Sequence, residues 1–463
     1  MTLVDWLPKL EGRHGPKAIA IADAIGEDIA SGRLKPGDKL PPHRDLAFRL
    51  GVSVGTVTRS YAEAQRRGLV SGQVGSGTYV GERTSAAQRF ALWVKSDDGI
   101  IDLSANIAVC DLRQMALDRV LARLRPQQTD PALLEYQGAA GMERHRQAGA
   151  RWITRPGFAP DPARVVITHG AQQALALVFS TLVRPGATVL CEDLTFPPVK
   201  SLASVLGLRL HGVALDQDGL RPDALDEACR STGATLLYTI PTFQNPTGIV
   251  FPEARRRELA EVARRREIRI LEDDVYAHII DSAPPPLAAF APERTWYVDS
   301  VSKTLAPGLR VGYLVVPEGQ LDPMLLTMRA MSWMTTPIAA EIATLWMEDG
   351  TADELVAWHR RERVARAALA REILGAAAIN RHDSPHLWLT VPERQRGHEL
   401  AAELTHRGVR VAEGDAFAVA RDAGAHAVRI SLNAVTSRDQ LARALRVIYD
   451  ATEAGPASTR SIM

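Results

Sequence analysis

Lys303 sits in Ser300-Val301-Ser302-Lys303, and Arg310 follows one short loop later in Pro307-Gly308-Leu309-Arg310-Val311-Gly312. A lysine attacks an aldehyde only when neutral, which requires a desolvated or cation-rich setting. Hydroxyls and small residues flank Lys303, and the planar fork of Arg310, with the Ser300 hydroxyl, suits a phosphate. The ordinary alternative is a surface lysine in a loop. Upstream, Glu272-Asp273-Asp274-Val275-Tyr276 closes an apolar run. A buried carboxylate there would keep a pyridine nitrogen protonated, the condition under which such a ring draws electrons. Strand neighbours point to opposite faces, so Asp273 and Asp274 should not both reach one ring. Tyr276 could bond a phenolic oxygen on it. The competing reading, a carboxylate pair on a divalent metal, lacks further acidic or histidine ligands nearby in sequence, and no metal is expected.

Three weaker motifs surround these. In Pro241-Thr242-Phe243-Gln244-Asn245-Pro246-Thr247-Gly248, the proline holds Asn245 extended with its amide outward, although Asn-Pro and Thr-Gly also mark plain turns. Thr168-His169-Gly170-Ala171-Gln172-Gln173-Ala174 reads as a glycine-led helix entry that exposes backbone N–H groups to a phosphate. It has neither glycine pattern of a nucleotide loop. Arg429, in Ala427-Val428-Arg429-Ile430-Ser431, is an arginine inside an apolar strand, costly without an anion. A ligand carboxylate and an internal salt bridge serve equally well.

These residues need a scaffold. From about 100 to 453, apolar runs at 165–167, 189–190, 236–238, 268–271 and 311–314 alternate with helical stretches such as 253–266 and 336–347. That alternation predicts an α/β domain with a mostly parallel sheet, a smaller C-terminal α/β subdomain from about 350, and ligands at the carboxyl ends of the strands. Residues 454–463 form a tail, and 82–99 read as a short linker.

Ahead of the linker, residues 1–81 read as a separate unit. Ala18, Ile21, Ala22, Ile25 and Ile29 follow a helical period; a second helix holds Leu46, Ala47 and Leu50 and stops at Gly51; Ser53 caps a third, with Val57, Tyr61 and Ala64 inward. Only Gly51-Val52-Ser53 separates the last two, the spacing of a helix-turn-helix, and Leu69-Val70 and Thr78-Tyr79-Val80 flank a glycine-rich wing. Residues 41–76 hold five arginines against Asp45 and Glu63, an excess suited to phosphates, or merely the solvated face of a three-helix bundle.

The bulk numbers restrict little. The 463 residues allow two to four domains, 46% hydrophobic and 24% charged residues are ordinary for a globular protein, and the net charge is +1. Cys110, Cys191 and Cys229 form no ligand spacing, the N-terminus has no signal-peptide core, and no apolar run reaches membrane-spanning length. A cytoplasmic protein without membrane contact is expected.

The stretch SGRLKPGDKLPPHRDLAFRLGVSVGTVTRSYAEAQRRGLVSGQVGSGTYV resembles the GntR-type winged helix. That resemblance implies DNA contacts through Arg44, Ser53, Thr56, Arg59, Gly75, Gly77 and Thr78. Val54 and Ser76 stand where many relatives carry arginine. Residues 100–453 resemble the fold type I aminotransferases, which implies pyridoxal 5'-phosphate (PLP), with Lys303 as the Schiff-base lysine and Asp273 on the pyridine nitrogen. Asn245 and Tyr276 would hold the ring hydroxyl, and Ser300, Ser302, Arg310, Ala171 and Gln172 the phosphate. Phe196 would stack on the ring, in Glu192-Asp193-Leu194-Thr195-Phe196, where relatives often have Pro at 194 and Tyr at 196. Arg429, with Asn245, would bind a substrate carboxylate. Tyr136-Gln137-Gly138-Ala139-Ala140-Gly141 matches a motif whose tyrosine reaches the partner's phosphate, implying a homodimer. The two halves together resemble the MocR subgroup of GntR regulators. Such a protein binds a double-stranded operator and senses PLP or an amino acid; a working aminotransferase with an accessory DNA-binding head is the alternative.

Overall fold

The computed structural model describes residues 6–8, 17–30, 33–35, 37–66, 69–73, 77–80, 99–107, 109–124, 130–375, 381–392, 395–419 and 423–453. The expected linker core at 82–98, the 454–463 tail and Gly75 lie outside them. The chain divides into two compact units, Met1–Leu92 and Trp93–Met463.

The first unit holds α1 (Lys17–Ala30), α2 (His43–Leu50), α3 (Val54–Arg66) and the antiparallel pair β1 (Val70–Gln73) and β2 (Gly77–Val80). The periodicity is realised as burial: Ile21, Ala22, Ile25, Leu46, Val57, Tyr61 and Ala64 form one core with Val70 and Val80. Gly51 ends α2 in the left-handed region (φ 61°), which glycine enters without strain, and its N–H bonds back to the helix. Ser53 Oγ then accepts the Thr56 N–H at 3.1 Å, the side-chain cap expected for α3. Tyr61 locks the turn by donating to the Pro41 carbonyl at 2.8 Å.

In the second unit, β3 (Ile101–Asp102) precedes β4 (Val165–Thr168), β5 (Thr188–Glu192), β6 (Arg209–Val213), the short hairpin β7 (Leu215–Asp216) and β8 (Gly219–Leu220), β9 (Leu236–Thr239), β10 (Arg269–Asp273), β11 (Thr295–Ser300) and β12 (Gly312–Val315). Seven of these form one sheet in the order β4-β12-β11-β10-β9-β5-β6. It is parallel except for β12, which runs antiparallel to both neighbours. Alternate residues serve opposite cores: Val166 packs with the helix Gly170–Leu182, whereas Val165 and Ile167 pack with helices Glu143–Ile153 and Pro337–Glu348. Burial on both faces is why the strands read as continuous apolar runs. Gly149 is required by this packing, since a Cβ there would lie 2.4 Å from the Tyr313 ring.

Beyond the helix Thr351–Leu374 come β13 (His386–Thr390), β14 (Val409–Arg410), β15 (Ala412–Glu413) and β16 (Ala427–Ser431), of which three form a smaller sheet ordered β13-β16-β15. β14 pairs in parallel with β3, so the first strand of the unit is built into its last part. Among the described residues, no helix is long and apolar enough to cross a membrane.

Candidate functional site

Lys303 leaves the sheet through a single helical turn. β11 ends at Ser300, whose Oγ accepts the Ser302 N–H at 3.2 Å and closes the turn Val301–Lys303. The Lys303 Nζ donates to the backbone carbonyl of Asn106. Burial, aided by the nearby Arg429 and Arg310 charges, brings the ammonium down to about 8 against the pull of Asp273. A neutral, nucleophilic fraction therefore exists near neutral pH.

Asp273, the last residue of β10, is buried; its Oδ2 accepts from the Tyr238 hydroxyl at 2.9 Å, and its Oδ1 has no hydrogen-bond partner. Asp274 turns to the opposite side and pairs with Arg155, as strand alternation requires. Desolvation pushes the Asp273 carboxyl up to about 6. A carboxyl whose folded pKa is raised binds its proton more tightly when folded, so its contribution falls as pH rises from the ordinary 3.8 to about 6. We predict that in the cofactor-free protein Asp273→Asn flattens this part of the stability–pH curve, by roughly 2–3 kcal/mol between pH 4 and 6.5. Denaturant midpoints across that range check it; parallel curves for the two proteins would refute it.

Beside Lys303, Gly170 (φ 72°) opens the helix Gly170–Leu182, whose first turn carries the half-buried Ala171 and Gln172. Because β12 runs antiparallel, the residues just before it return to this same edge. There Arg310 donates to the His169 carbonyl at 3.2 Å and to Ser302 Oγ at 3.4 Å. A Cβ on Gly170 would lie 2.5 Å from Arg310 Nη2, and one on Gly312 only 2.7 Å from the Gly170 carbonyl carbon. Helix N–H groups, a serine hydroxyl and a guanidinium thus bound a cradle in which a side chain at 170 would displace the Arg310 guanidinium, a fit for a phosphate. Gly170→Ala is predicted to weaken retention of a phosphate-bearing ligand about tenfold, for one displaced charge-assisted hydrogen bond, measurable by equilibrium dialysis. Ser300 differs from expectation in detail: it is 1% exposed and turns its hydroxyl to Ser302 Oγ (2.9 Å) and the Val311 carbonyl (3.0 Å).

Across the pocket, Arg429 is fully buried on β16; it donates to Asn245 Oδ1 at 3.0 Å and to the Ser104 carbonyl, and lies 4.9 Å from the centre of the Phe417 ring. Asn245 precedes a cis proline. Tyr276 is buried, its hydroxyl accepting from Asn106 Nδ2 at 3.0 Å, and burial pushes it up to about 12, so it is a proton-bearing donor. Phe196 is half-buried at the start of the helix Pro197–Val205 and packs on the large core. Tyr136 stands 83% exposed beside Trp333, their rings 5.9 Å apart. The structure therefore brings Lys303, Asp273, Tyr276, Asn245 and Arg429 to one side of the sheet and leaves Tyr136 on the surface.

Three contributors escape the sequence reading. Tyr238 lies inside an apolar run, and Asn106 and His386 meet through a contact spanning 280 positions. No local pattern marks the last two.

In the first unit, Arg44 on α2 and Arg59 on α3 are exposed, as is Ser53 at the turn between the helices. Thr56 is half-exposed, its hydroxyl 2.9 Å from Ser53 Oγ. Gly77 (φ 120°) opens β2, and the Thr78 carbonyl receives the Leu40 N–H at 2.8 Å.

Comparison with known proteins follows the same division. Residues 98–448 match the model for "Aminotransferase class I and II", and residues 17–80 that for "Bacterial regulatory proteins, gntR family". The chain is 27% identical over 447 residues to the HTH-type transcriptional regulator YdeF of Bacillus subtilis (strain 168), covering 96% of each. It is 28% identical over 333 residues to the HTH-type pyridoxine biosynthesis transcriptional regulator PdxR of Corynebacterium glutamicum, covering 70% of this chain and 72% of that one. Among solved structures, the α-aminoadipate aminotransferase of Thermus thermophilus, complexed with N-(5'-phosphopyridoxyl)-L-leucine, shares the fold with a TM-score of 0.72 at 23% identity, over 85% of this chain and 98% of that one.

Proposed function

Because the chain belongs to the aminotransferase class I and II family and carries a gntR-family head before that domain, we propose that it is a transcriptional regulator that binds an operator through α2 and α3 and senses an amino acid on bound PLP. The observation that carries the sensor is the pairing of Lys303 with a buried Asp273 whose Oδ1 lacks a partner, the acceptor a protonated ring nitrogen would fill. PLP, when bound, supplies an aldehyde for amines and an electron-drawing ring. Lys303 Nζ would hold it covalently, Asp273 would keep the ring proton, and Tyr276 and Asn245 would bond the ring hydroxyl. Arg310, Ser302 and the N–H groups at Ala171 and Gln172 would hold the phosphate, with Ser300 orienting the Ser302 hydroxyl from behind and Phe196 against the ring. The Arg429 fork would take the ligand carboxylate. Tyr136 and Trp333 would be covered by a second copy, giving a homodimer, and the cytoplasm is the compartment that fits DNA binding.

Lys303, Asp273 and Arg429 stand together, and that supports a second reading, a working aminotransferase. Steady amino-acid turnover at about 1 per second or more would make it primary. The deciding experiment titrates upstream DNA with the full chain at fixed salt, with and without PLP and amino acids. A ligand-dependent affinity or footprint supports the regulator; no DNA binding under any condition defeats it. Arg44→Ala is expected to weaken DNA binding about tenfold, the share of one phosphate contact, with the bound-cofactor spectrum unchanged. Fluorescence anisotropy and absorbance on one sample check both.

A further inference from the structure

Asn106 touches three parts of the pocket at once. Its backbone carbonyl accepts from Lys303 Nζ, and its side-chain Nδ2 lies 3.0 Å from both the Tyr276 hydroxyl and His386 Nδ1. His386, on β13, is 1% exposed, and its Nε2 lies 3.0 Å from the Gln244 carbonyl. A carbonyl can only accept, so Nε2 must carry the proton. Nδ1 is then an acceptor, and the Asn106 amide must turn its N–H groups toward it. The second N–H of that amide meets the Tyr276 oxygen, which leaves the Tyr276 O–H to point elsewhere. The Asn106 Oδ1 is buried and has no hydrogen-bond partner, and Asn106 walls a small cavity with Tyr276, Lys303, Ser431 and Asn433.

We infer that His386 and Asn106 are positioning residues: the Gln244 carbonyl fixes the direction of a hydrogen-bond chain that commits the Tyr276 hydroxyl to donation and holds Asn106 Oδ1 as an acceptor for an amine ligand's N–H. The role rests on the reading of this pocket as an amino-acid site on PLP, while the direction of the chain does not. Burial above all opposes protonation of the imidazole, and Arg429 and Lys303, the charged groups facing it, add to that.

The first test uses cofactor-free, full-length protein labelled with 15N-histidine at pH 7. Among the 12 histidines, the His386 signals are those missing in His386→Gln. The expected pattern is a neutral ring protonated at Nε2 with Nδ1 accepting; a ring protonated at Nδ1, or at both nitrogens, overturns the inference. The second test titrates the PLP-loaded chain with amino acids and follows the visible band. His386→Leu, folded by its melting temperature, should bind about tenfold more weakly, and His386→Gln, whose amide oxygen can replace Nδ1, should recover most of that. A His386→Leu curve that superimposes on the wild type overturns the positioning role. Wild-type protein that takes up no PLP would defeat the pocket reading, and the role with it, while leaving the ring-proton result to stand separately.

Discussion

Replacing Lys303 with alanine will abolish borohydride-stable attachment of PLP, reducing it at least a hundredfold to background. The effect should be this large because the sequence offers so few rivals: between residues 98 and 448 the only lysines are Lys200 and Lys303. Lys200 is also brought down to about 8 by burial, so lowered basicity alone does not separate the two. Geometry does. The Lys200 Nζ donates to the carbonyls of Ala416 (2.9 Å) and Ala418 (2.6 Å), a tie between a helix and a loop, whereas Lys303 stands beside Asp273 and the phosphate cradle. Mass spectrometry of the reduced protein should place one label per chain on the Lys303 peptide. Wild-type labelling in Lys303→Ala, or label on the Lys200 peptide, would show that Lys303 is the wrong residue.

The second large effect belongs to Arg429. Arg429→Leu should weaken amino-acid binding to the loaded protein by roughly 2–5 kcal/mol, about thirty- to five-thousandfold, the cost of removing one member of a buried, hydrogen-bonded charge pair. Arg429→Lys should recover little, because an ammonium keeps the charge and loses the planar fork. Part of the change will be structural: without the guanidinium, Asn245 Oδ1 and the Ser104 carbonyl lose a donor. The two contributions separate when an amine without a carboxylate is titrated alongside. The wild type should favour the amino acid strongly, and Arg429→Leu should bind both alike. Equal preference already in the wild type would remove Arg429 from ligand recognition.

The legible parts of this protein are those where chemistry coincides with a strand end or a helix cap. Asp273 follows an apolar strand and Ser53 precedes a helix, so residue type and position point the same way. Asp274 is separable from Asp273 by strand alternation alone. Arg429 is conspicuous because an arginine in a buried strand demands a partner, yet its sequence leaves the partner open. The structure answers with the neutral oxygens of Asn245 and Ser104. Asn106 and His386 are illegible for a physical reason. Each is an ordinary polar residue in its own segment, and its meaning arises only where β3 and β13 are brought against Tyr276. Ser300 shows a finer limit: its type suits a phosphate, but the direction of its hydroxyl depends on the Val311 carbonyl eleven positions on.

The pairing of β3 with β14 also governs when in the life of a chain the sensor can exist. Ser104 and Arg429 are 325 positions apart, and Ile101 pairs with Val409. At roughly 5–20 residues per second, a ribosome needs on the order of 15–65 s to travel from one to the other. Throughout that interval the residues of the first unit have already been made, and Arg429 has not. On the proposed reading, a nascent or prematurely terminated chain ending before residue 429 would carry the residues of the head and lack the arginine that would bind the ligand carboxylate.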